Sequence, residues 1–256
     1  MRVAIQGTID ISIILHQRLP IATNARYNYL LTAILSARQL FNMGEKEFKA
    51  AVLERLLALG EIDLTALVFS EMSLARKSRR VDLGYIRNNE MVAIEIKSEK
   101  DSLYRLEGQL EEYRKYFDRV VVAVAGKYVE GVLSSTPDDV AVWKVASDGI
   151  NVVRKGRLIR NISKTNYLEL MTKREVSFLA RRVGVSPDLA MYELKMETSH
   201  KLTRVSKVLV KEILIDGIYK RFNLPSNRFL LKVLSNGTVT ASDVGLLSPY
   251  LKRTAE

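Results

Sequence analysis

Residues 81–97, VDLGYIRNNEMVAIEIK, contain two apolar runs that are separated by a short polar turn. Such a pattern predicts a β-hairpin with strands VDLGYI and MVAIEIK and the turn-like stretch IRNNE between them. Asp82 lies at the start of the first run, whereas Glu95 and Lys97 lie near the end of the second. We therefore expect the hairpin to bring Asp82 close to Glu95.

The second run also predicts which side chains share a face. Side chains two residues apart on a strand point to the same face, so Glu95 and Lys97 are expected side by side. Ile94 and Ile96 would point the other way, into a core. Two carboxylates and a lysine at the edge of an apolar hairpin are the groups that a metal-dependent phosphodiesterase needs.

The flanking sequence predicts an α/β domain with a mixed sheet. The stretch 98–118 reads as an amphipathic helix from Asp101 to Phe117, with Asp101 as a possible helix cap. It connects MVAIEIK to RVVVAVA, so these two strands should be parallel. The remaining expected elements are helices over 26–44 and 45–59, strands over 66–74 and 140–146, and an edge hairpin over 151–160.

This order of elements, together with Asp82 and the tripeptide Glu95-Ile96-Lys97, resembles the PD-(D/E)xK nuclease superfamily. The resemblance covers roughly residues 45–145, and Val81 stands where the proline of the family name would be. Gln109 and Tyr113, four residues apart on the following helix, resemble the QxxxY element of the exonuclease-like branch. The stretch 98–124 is also similar to a family of largely uncharacterised bacterial and phage proteins.

The resemblance implies a restriction-endonuclease-like mixed sheet flanked by helices, and hydrolysis of phosphodiester bonds in nucleic acid, with DNA as the first expectation. It implies Mg²⁺ or Mn²⁺ bound by Asp82, by Glu95, by the backbone carbonyl of Ile96 and, directly or through water, by Glu54 of the preceding helix. Lys97 would orient or deprotonate the attacking water, or offset phosphate charge. The implied catalytic residues are Asp82, Glu95, Lys97, Glu54, Gln109 and Tyr113. A further strand carboxylate, Glu71, would lie near this site.

Composition excludes several other kinds of site. The 256-residue chain has no cysteine, which excludes disulfides, thiolate zinc sites and cysteine nucleophiles. Its two histidines, His16 and His200, are far apart, so a metal site must use carboxylates. No apolar run approaches the roughly 20 residues that span a bilayer, and residues 1–20 make a poor signal peptide. We expect a cytoplasmic protein with no membrane contact.

The net charge of +11 is unevenly distributed. Residues 1–150 carry 20 basic and 20 acidic side chains, whereas residues 151–256 carry 20 basic and 9 acidic ones. After about residue 163 helical patterns dominate, so together with the resemblance we expect two parts, a nuclease-like domain over 1–162 and a basic, mainly helical region over 163–256. A basic region favours a nucleic-acid partner, although it also fits a merely solvated surface. The basic loop before Asp82 is the predicted phosphate-binding element and contains Arg76, Lys77, Arg79 and Arg80.

Two other functions stay open at this point. The chain could keep the nuclease fold without activity, as a DNA-binding or regulatory protein. It could also be a phage-type protein-interaction protein whose basic part meets an acidic protein. The intact set of Asp82, Glu95 and Lys97 favours the enzyme, because a binding protein has no use for it.

Overall fold

A computed structural model describes residues 43–74, 79–146 and 149–248, all of which belong to one compact unit. The helix predicted over 26–44 lies almost entirely outside these residues. Among the helices of the described ranges, none is long and apolar enough to cross a membrane. The described residues form six strands, β1 (Leu67–Ser73), β2 (Arg80–Arg87), β3 (Glu90–Lys97), β4 (Arg119–Ala125), β5 (Ala141–Ala146) and β6 (Gly149–Arg154). The same part of the chain forms eight α-helices, α1 (Glu45–Ala58), α2 (Leu106–Arg114), α3 (Val129–Ser135), α4 (Lys164–Leu170), α5 (Lys173–Val183), α6 (Met191–His200), α7 (Lys207–Asn236) and α8 (Ala241–Val244).

The strands form one sheet in the order β1-β2-β3-β4-β5-β6. β1, β2 and β3 are antiparallel neighbours, β3, β4 and β5 are parallel, and β6 returns antiparallel to β5. The mixed sheet, its flanking helices and the helical C-terminal region confirm the predicted α/β class. The hairpin of β2 and β3 and the β3-α2-β4 unit also form as the sequence predicts.

Two apolar cores lie on the two faces of the sheet. One contains side chains of α2, α3 and the helices after residue 163, and the other contains side chains of α1, α8 and the end of α7. β4 is buried on both faces, which explains its continuous run of apolar residues. The basic C-terminal helices are therefore packed into the same cores as the sheet.

The 30-residue helix α7 covers the edge of the sheet at β1. Its Phe222 belongs to the first core and its Phe229 to the second, so the helix passes from one face to the other. The Ser226 hydroxyl accepts a hydrogen bond of 2.9 Å from the Val68 amide of β1. Covering an edge strand in this way satisfies backbone groups that would otherwise invite pairing with another chain.

The helix after β3 starts later than its sequence predicts. α2 begins at Leu106, and Asp101 does not cap it. The Asp101 carboxylate instead accepts hydrogen bonds from the amide and the hydroxyl of Ser98, at 2.8 and 2.6 Å. Asp101 therefore closes the turn that leaves β3, a local competition between turn and cap that is common for aspartate.

Gly84 of β2 allows a close approach within the sheet. A Cβ atom at this position would lie 2.4 Å from the ring of Phe69 and 2.8 Å from the carbonyl oxygen of Val92. We expect Gly84→Ala to lower the free energy of unfolding by about 1–3 kcal/mol, measured by urea denaturation. Gly245→Ala is the control, because Gly245 has helical dihedral angles and open space around it. Equal urea midpoints for the two variants would contradict this packing.

Candidate active site

Three carboxylates lie in one row across the hairpin and its neighbouring strand. By the register of the neighbouring pairs, Glu71 of β1, Asp82 of β2 and Glu95 of β3 occupy equivalent positions on adjacent strands. The regular β2-β3 pairing ends just before this row, and the Asp82 carboxylate accepts a hydrogen bond of 2.9 Å from the Ile96 amide. Burial and the nearby charge of Glu95 raise the pKa of Asp82 to about 7. The protein thus holds negative charges close together at this point.

Glu95 is the buried centre of the first half of the site, with 1 % of its surface exposed. Its Oε1 accepts from Lys97 Nζ at 2.7 Å, and its Oε2 accepts from the Tyr113 hydroxyl at 2.6 Å. Lys97 Nζ also donates to Gln109 Oε1 at 3.0 Å. The spacing of four residues puts Gln109 and Tyr113 on one face of α2. The structure therefore brings Glu95, Lys97, Gln109 and Tyr113 into direct contact, and Asp82 lies close enough for the charge of Glu95 to raise its pKa.

The second half of the site contains a lysine that sequence reasoning missed. Lys49 of α1 is buried, and its Nζ lies 2.6 Å from Glu45 Oε1 and 2.6 Å from Glu71 Oε1. Carboxylate oxygens of Glu45, Glu71 and Asp82 all lie within 4.8 Å of one another. Burial alone would lower the pKa of Lys49, but the bonds to both glutamates and the charge of Asp82 raise it overall. Lys49 is therefore a charged ammonium among carboxylates.

The backbone of β1 changes conformation at Glu71. Its φ of 56° lies in the left-handed region, which residues with a side chain seldom adopt. Before Glu71 the side chains that face the first core are at the odd-numbered positions Leu67 and Phe69, and after it they are at the even-numbered positions Met72 and Leu74. This change of alternation turns Glu71 toward Lys49. Conformations of this kind cost free energy and cluster at functional sites.

The structure does not bring Glu54 to the site. Glu54 is exposed, and its Oε1 accepts from the Thr238 hydroxyl at 3.1 Å. Glu54 lies nine positions after Glu45 in α1. This spacing places the two side chains about half a turn apart around the helix and about 13 Å apart along its axis. The acid that α1 contributes is therefore Glu45, in its first turn. The sequence feature that could have identified Glu45 is its spacing of four residues from Lys49, which lies between the inward-facing Phe48 and Val52.

Part of the predicted basic loop lies beside the site. Arg80 is about half exposed, and its guanidinium lies 3.8 Å from the Glu71 carboxylate. The Arg79 guanidinium lies against Gly108 of α2, where an added Cβ would come within 2.8 Å of it. Arg76 and Lys77 lie outside the described residues.

The donor set fits a hard divalent cation. The row consists of carboxylates only, and oxygen ligands are those that Mg²⁺, Mn²⁺ and Ca²⁺ prefer. The raised pKa of Asp82 also fits a cation, because a bound positive charge would relieve the repulsion between Asp82 and Glu95. Both residues predicted as carboxylate ligands on the hairpin are present in this arrangement.

Tyr113 provides a test of the hydrogen bonds around Glu95. Its hydroxyl is within 2.6 Å of both Glu95 Oε2 and the Arg80 carbonyl oxygen, so Tyr113→Phe leaves both acceptors without this donor. We expect the free energy of unfolding to fall by about 1–3 kcal/mol in urea denaturation. Tyr104→Phe is the matched control, because Tyr104 is 94 % exposed. A Tyr113→Phe protein as stable as the control would mean that this hydroxyl does not hold Glu95.

Comparisons with known proteins identify the family of the chain. Residues 39–248 match the model of the family described as Bacteriophage P4 protein cII. Protein cII of Enterobacteria phage P4 is 32 % identical over 213 residues, which cover 82 % of this chain and 79 % of that relative. A solved protein of unknown function from Silicibacter pomeroyi matches with 18 % identity over 55 % of this chain and 93 % of its own, at a TM-score of 0.36, too low to carry an argument. By the family model and this relative, the chain belongs to the bacteriophage P4 protein cII family.

Proposed function

We propose that this chain is a metal-dependent nuclease that hydrolyses phosphodiester bonds of nucleic acid, DNA in the first place, in the cytoplasm. The observation that carries the proposal is the convergence of Asp82, Glu95 and Lys97, with Lys97 Nζ 2.7 Å from Glu95. The contacts of Gln109 and Tyr113 with the same residues support it further. These contacts support the proposal because they join the residues on which the resemblance to a PD-(D/E)xK nuclease rests.

Asp82 and Glu95, with the backbone carbonyl of Ile96, would hold Mg²⁺ or Mn²⁺ in this proposal. Such an ion supplies a water of lowered pKa and positive charge near the phosphate. Glu71 extends the row on the other side of Asp82. Glu54 is not part of the proposed site, because its position on α1 faces away from it.

The chain's own residues would position the reactants. Lys97 is held by both Glu95 and Gln109, so its ammonium stays beside the carboxylates, where it can orient the attacking water or offset phosphate charge. In the hydrolysis a water oxygen bonds to phosphorus and the bond from phosphorus to the leaving oxygen breaks. The water gives up one proton and the leaving oxygen takes one. Tyr113 fixes the orientation of Glu95 throughout.

Basic side chains around the site support a polyanionic substrate. Arg80 is exposed beside Glu71, and Arg79 lies over α2 at Gly108. The part of the chain after residue 150 carries the whole net charge of +11. Phosphate contacts of this kind bind nucleic acid without reading its sequence.

A second candidate is a nuclease fold that binds DNA without cutting it. It is favoured by the ion pairs of Lys97 with Glu95 and of Lys49 with Glu71, which already neutralise two carboxylates without a metal ion. The structure favours the enzyme over this candidate because Asp82, in the middle of the row, retains a raised pKa that a cation would relieve.

Incubation with a panel of nucleic acids separates these candidates. We expect the protein to cut at least one of plasmid DNA, linear duplex, single-stranded DNA and RNA when Mg²⁺ or Mn²⁺ is present. Binding that weakens steeply with salt, without cutting in either metal, would support the DNA-binding candidate instead. If the protein neither cuts nucleic acid nor binds it in a salt-dependent way, the nuclease proposal fails. The basic region would then be expected to bind a protein partner.

A further inference from the structure

We infer that Lys49 takes the place of a second divalent cation, so that the site binds a single metal ion at Asp82 and Glu95. This inference rests on the proposed function and specifies its metal requirement. Lys49 belongs to α1, outside the hairpin that carries the predicted catalytic residues. No part of the reaction described above uses it.

The ammonium of Lys49 lies among carboxylate oxygens, in a position where a metal cation could otherwise bind. Lys49 Nζ lies 2.6 Å from both Glu45 Oε1 and Glu71 Oε1, and its side chain is 5 % exposed. The oxygens of Glu45, Glu71 and Asp82 are mutually within 4.8 Å, close enough to share one ion. A lysine buried to this extent is normally paired, and here both of its partners belong to that oxygen cluster. A metal ion at the same place would have to expel the ammonium.

The charge balance of the site leaves room for one divalent ion. Four carboxylates, Glu45, Glu71, Asp82 and Glu95, meet two ammonium groups, Lys49 and Lys97. Their net charge of about −2 is neutralised by one Mg²⁺ or Mn²⁺, whereas a second ion in the place of Lys49 would leave the four carboxylates and Lys97, about −3, with two ions and an excess of about +1 in a largely buried site. The exposed Arg80, 3.8 Å from Glu71, makes a second divalent ion still less favourable.

The two lysines also determine where the single ion can bind. Lys49 bonds to Glu71 at one end of the row, and Lys97 bonds to Glu95 at the other end. Asp82 lies between them and accepts a hydrogen bond from the backbone amide of Ile96. An ion on the Lys49 side would displace Lys49 from both of its carboxylates, whereas Lys97 keeps its bond to Gln109 if an ion binds Glu95. The inference therefore places the ion at Asp82 on the Glu95 side, and Lys49 stays as a fixed positive charge on the opposite side, where it can face the phosphate.

Titration calorimetry with Mn²⁺ in the absence of nucleic acid tests this inference. We expect one Mn²⁺ per wild-type chain and two per Lys49→Met chain, because methionine keeps the length of the side chain and removes its charge. Lys46→Met is the matched control on an exposed position of the same helix, and it should still bind one. Two ions in the wild type, or one ion in a folded Lys49→Met protein, would overturn the inference.

The variant Lys49→Gln keeps the test decisive if Lys49→Met does not fold, because its amide can still donate a hydrogen bond to a neighbouring carboxylate while the charge is removed. We expect Lys49→Gln to bind two Mn²⁺, for the same reason as Lys49→Met. One bound ion in a folded Lys49→Gln protein would show that the charge of Lys49 does not exclude a second ion, against the inference. A wild type that binds one ion but cuts no nucleic acid would remove the proposed function alone, whereas cutting by a two-ion protein would remove the inference alone.

Discussion

Asp82→Asn is expected to reduce the single-turnover rate of DNA cutting by about 1,000-fold, the upper range for removing one preorganised charged group from an active site. Asp82 lies between Glu71 and Glu95 in the carboxylate row, so in the proposed site it is the ligand that no neighbour can replace. The asparagine oxygen still accepts the hydrogen bond from Ile96, so the hairpin keeps its shape. The rate is measured with end-labelled DNA at saturating Mn²⁺.

Glu54→Gln is the matched control for this prediction. It removes one carboxylate from α1 on the exposed side, where Glu54 bonds to Thr238. We expect a rate within about threefold of the wild type, since exposed charges away from a site contribute little. A large loss of rate with Glu54→Gln, or a small loss of rate with Asp82→Asn, would mean that the reaction takes place at another part of the protein.

The second large effect concerns the stability of the metal-free protein. The pKa of Asp82 is raised from 3.8 to about 7 in the folded state, so between about pH 4 and pH 7 the folded protein binds more protons than the unfolded chain. Its stability therefore falls as the pH rises through this window. Asp82→Asn removes this loss, and at pH 8 the variant should be more stable than the wild type by on the order of 1–3 kcal/mol.

Thermal unfolding in EDTA at pH 4, 6 and 8 measures this difference. At pH 8 the melting temperature of Asp82→Asn should be higher than that of the wild type by about 2–10 °C, and at pH 4 the two should nearly coincide. Asp138→Asn, at an exposed aspartate, is the control and should show no pH-dependent difference. A difference between Asp82→Asn and wild type that is the same at every pH would contradict the raised pKa.

The hairpin and the parallel unit were predictable because their signals are local and agree with one another. The apolar runs of β2, β3 and β4 match the observed strands to within one residue at either end. The parallel pairing of β3 with β4 follows from the helix between them. The edge hairpin predicted over 151–160 is wrong: a single strand, β6, pairs with β5 and ends at Arg154, and residues 155–160 form no strand, because apolar alternation shows neither the pairing partner nor where pairing stops.

The half of the site on β3 and α2 was predictable for the same reason. Glu95, Lys97, Gln109 and Tyr113 come from regular elements whose spacing determines which side chains share a face. Of the half on α1 and β1, the sequence indicated only that Glu71 would lie near the site. The apolar pattern of α1 shows which side of the helix is buried, but not that Glu45 rather than Glu54 lies at the strand ends.

Glu71 shows a second limit of pattern reading. The left-handed φ of 56° at this residue has no sequence signature, because glutamate is not among the residues that favour this conformation. Regular alternation would have put Glu71 on the face of Phe69, away from Lys49. The buried contact between Glu71 and Lys49 is therefore a tertiary feature that only the structure reveals.

The central claim is that the carboxylate row and Lys97 cut nucleic acid with a divalent metal ion. The most direct measurement is the initial rate of cleavage of labelled single-stranded and duplex DNA as Mn²⁺ is titrated into EDTA-treated protein, with wild type and Asp82→Asn side by side. We expect the wild-type rate to rise from zero to a plateau and the Asp82→Asn rate to stay near zero. Cleavage that persists in EDTA, cleavage that is equal in the two proteins, or no product at any Mn²⁺ concentration would contradict the claim.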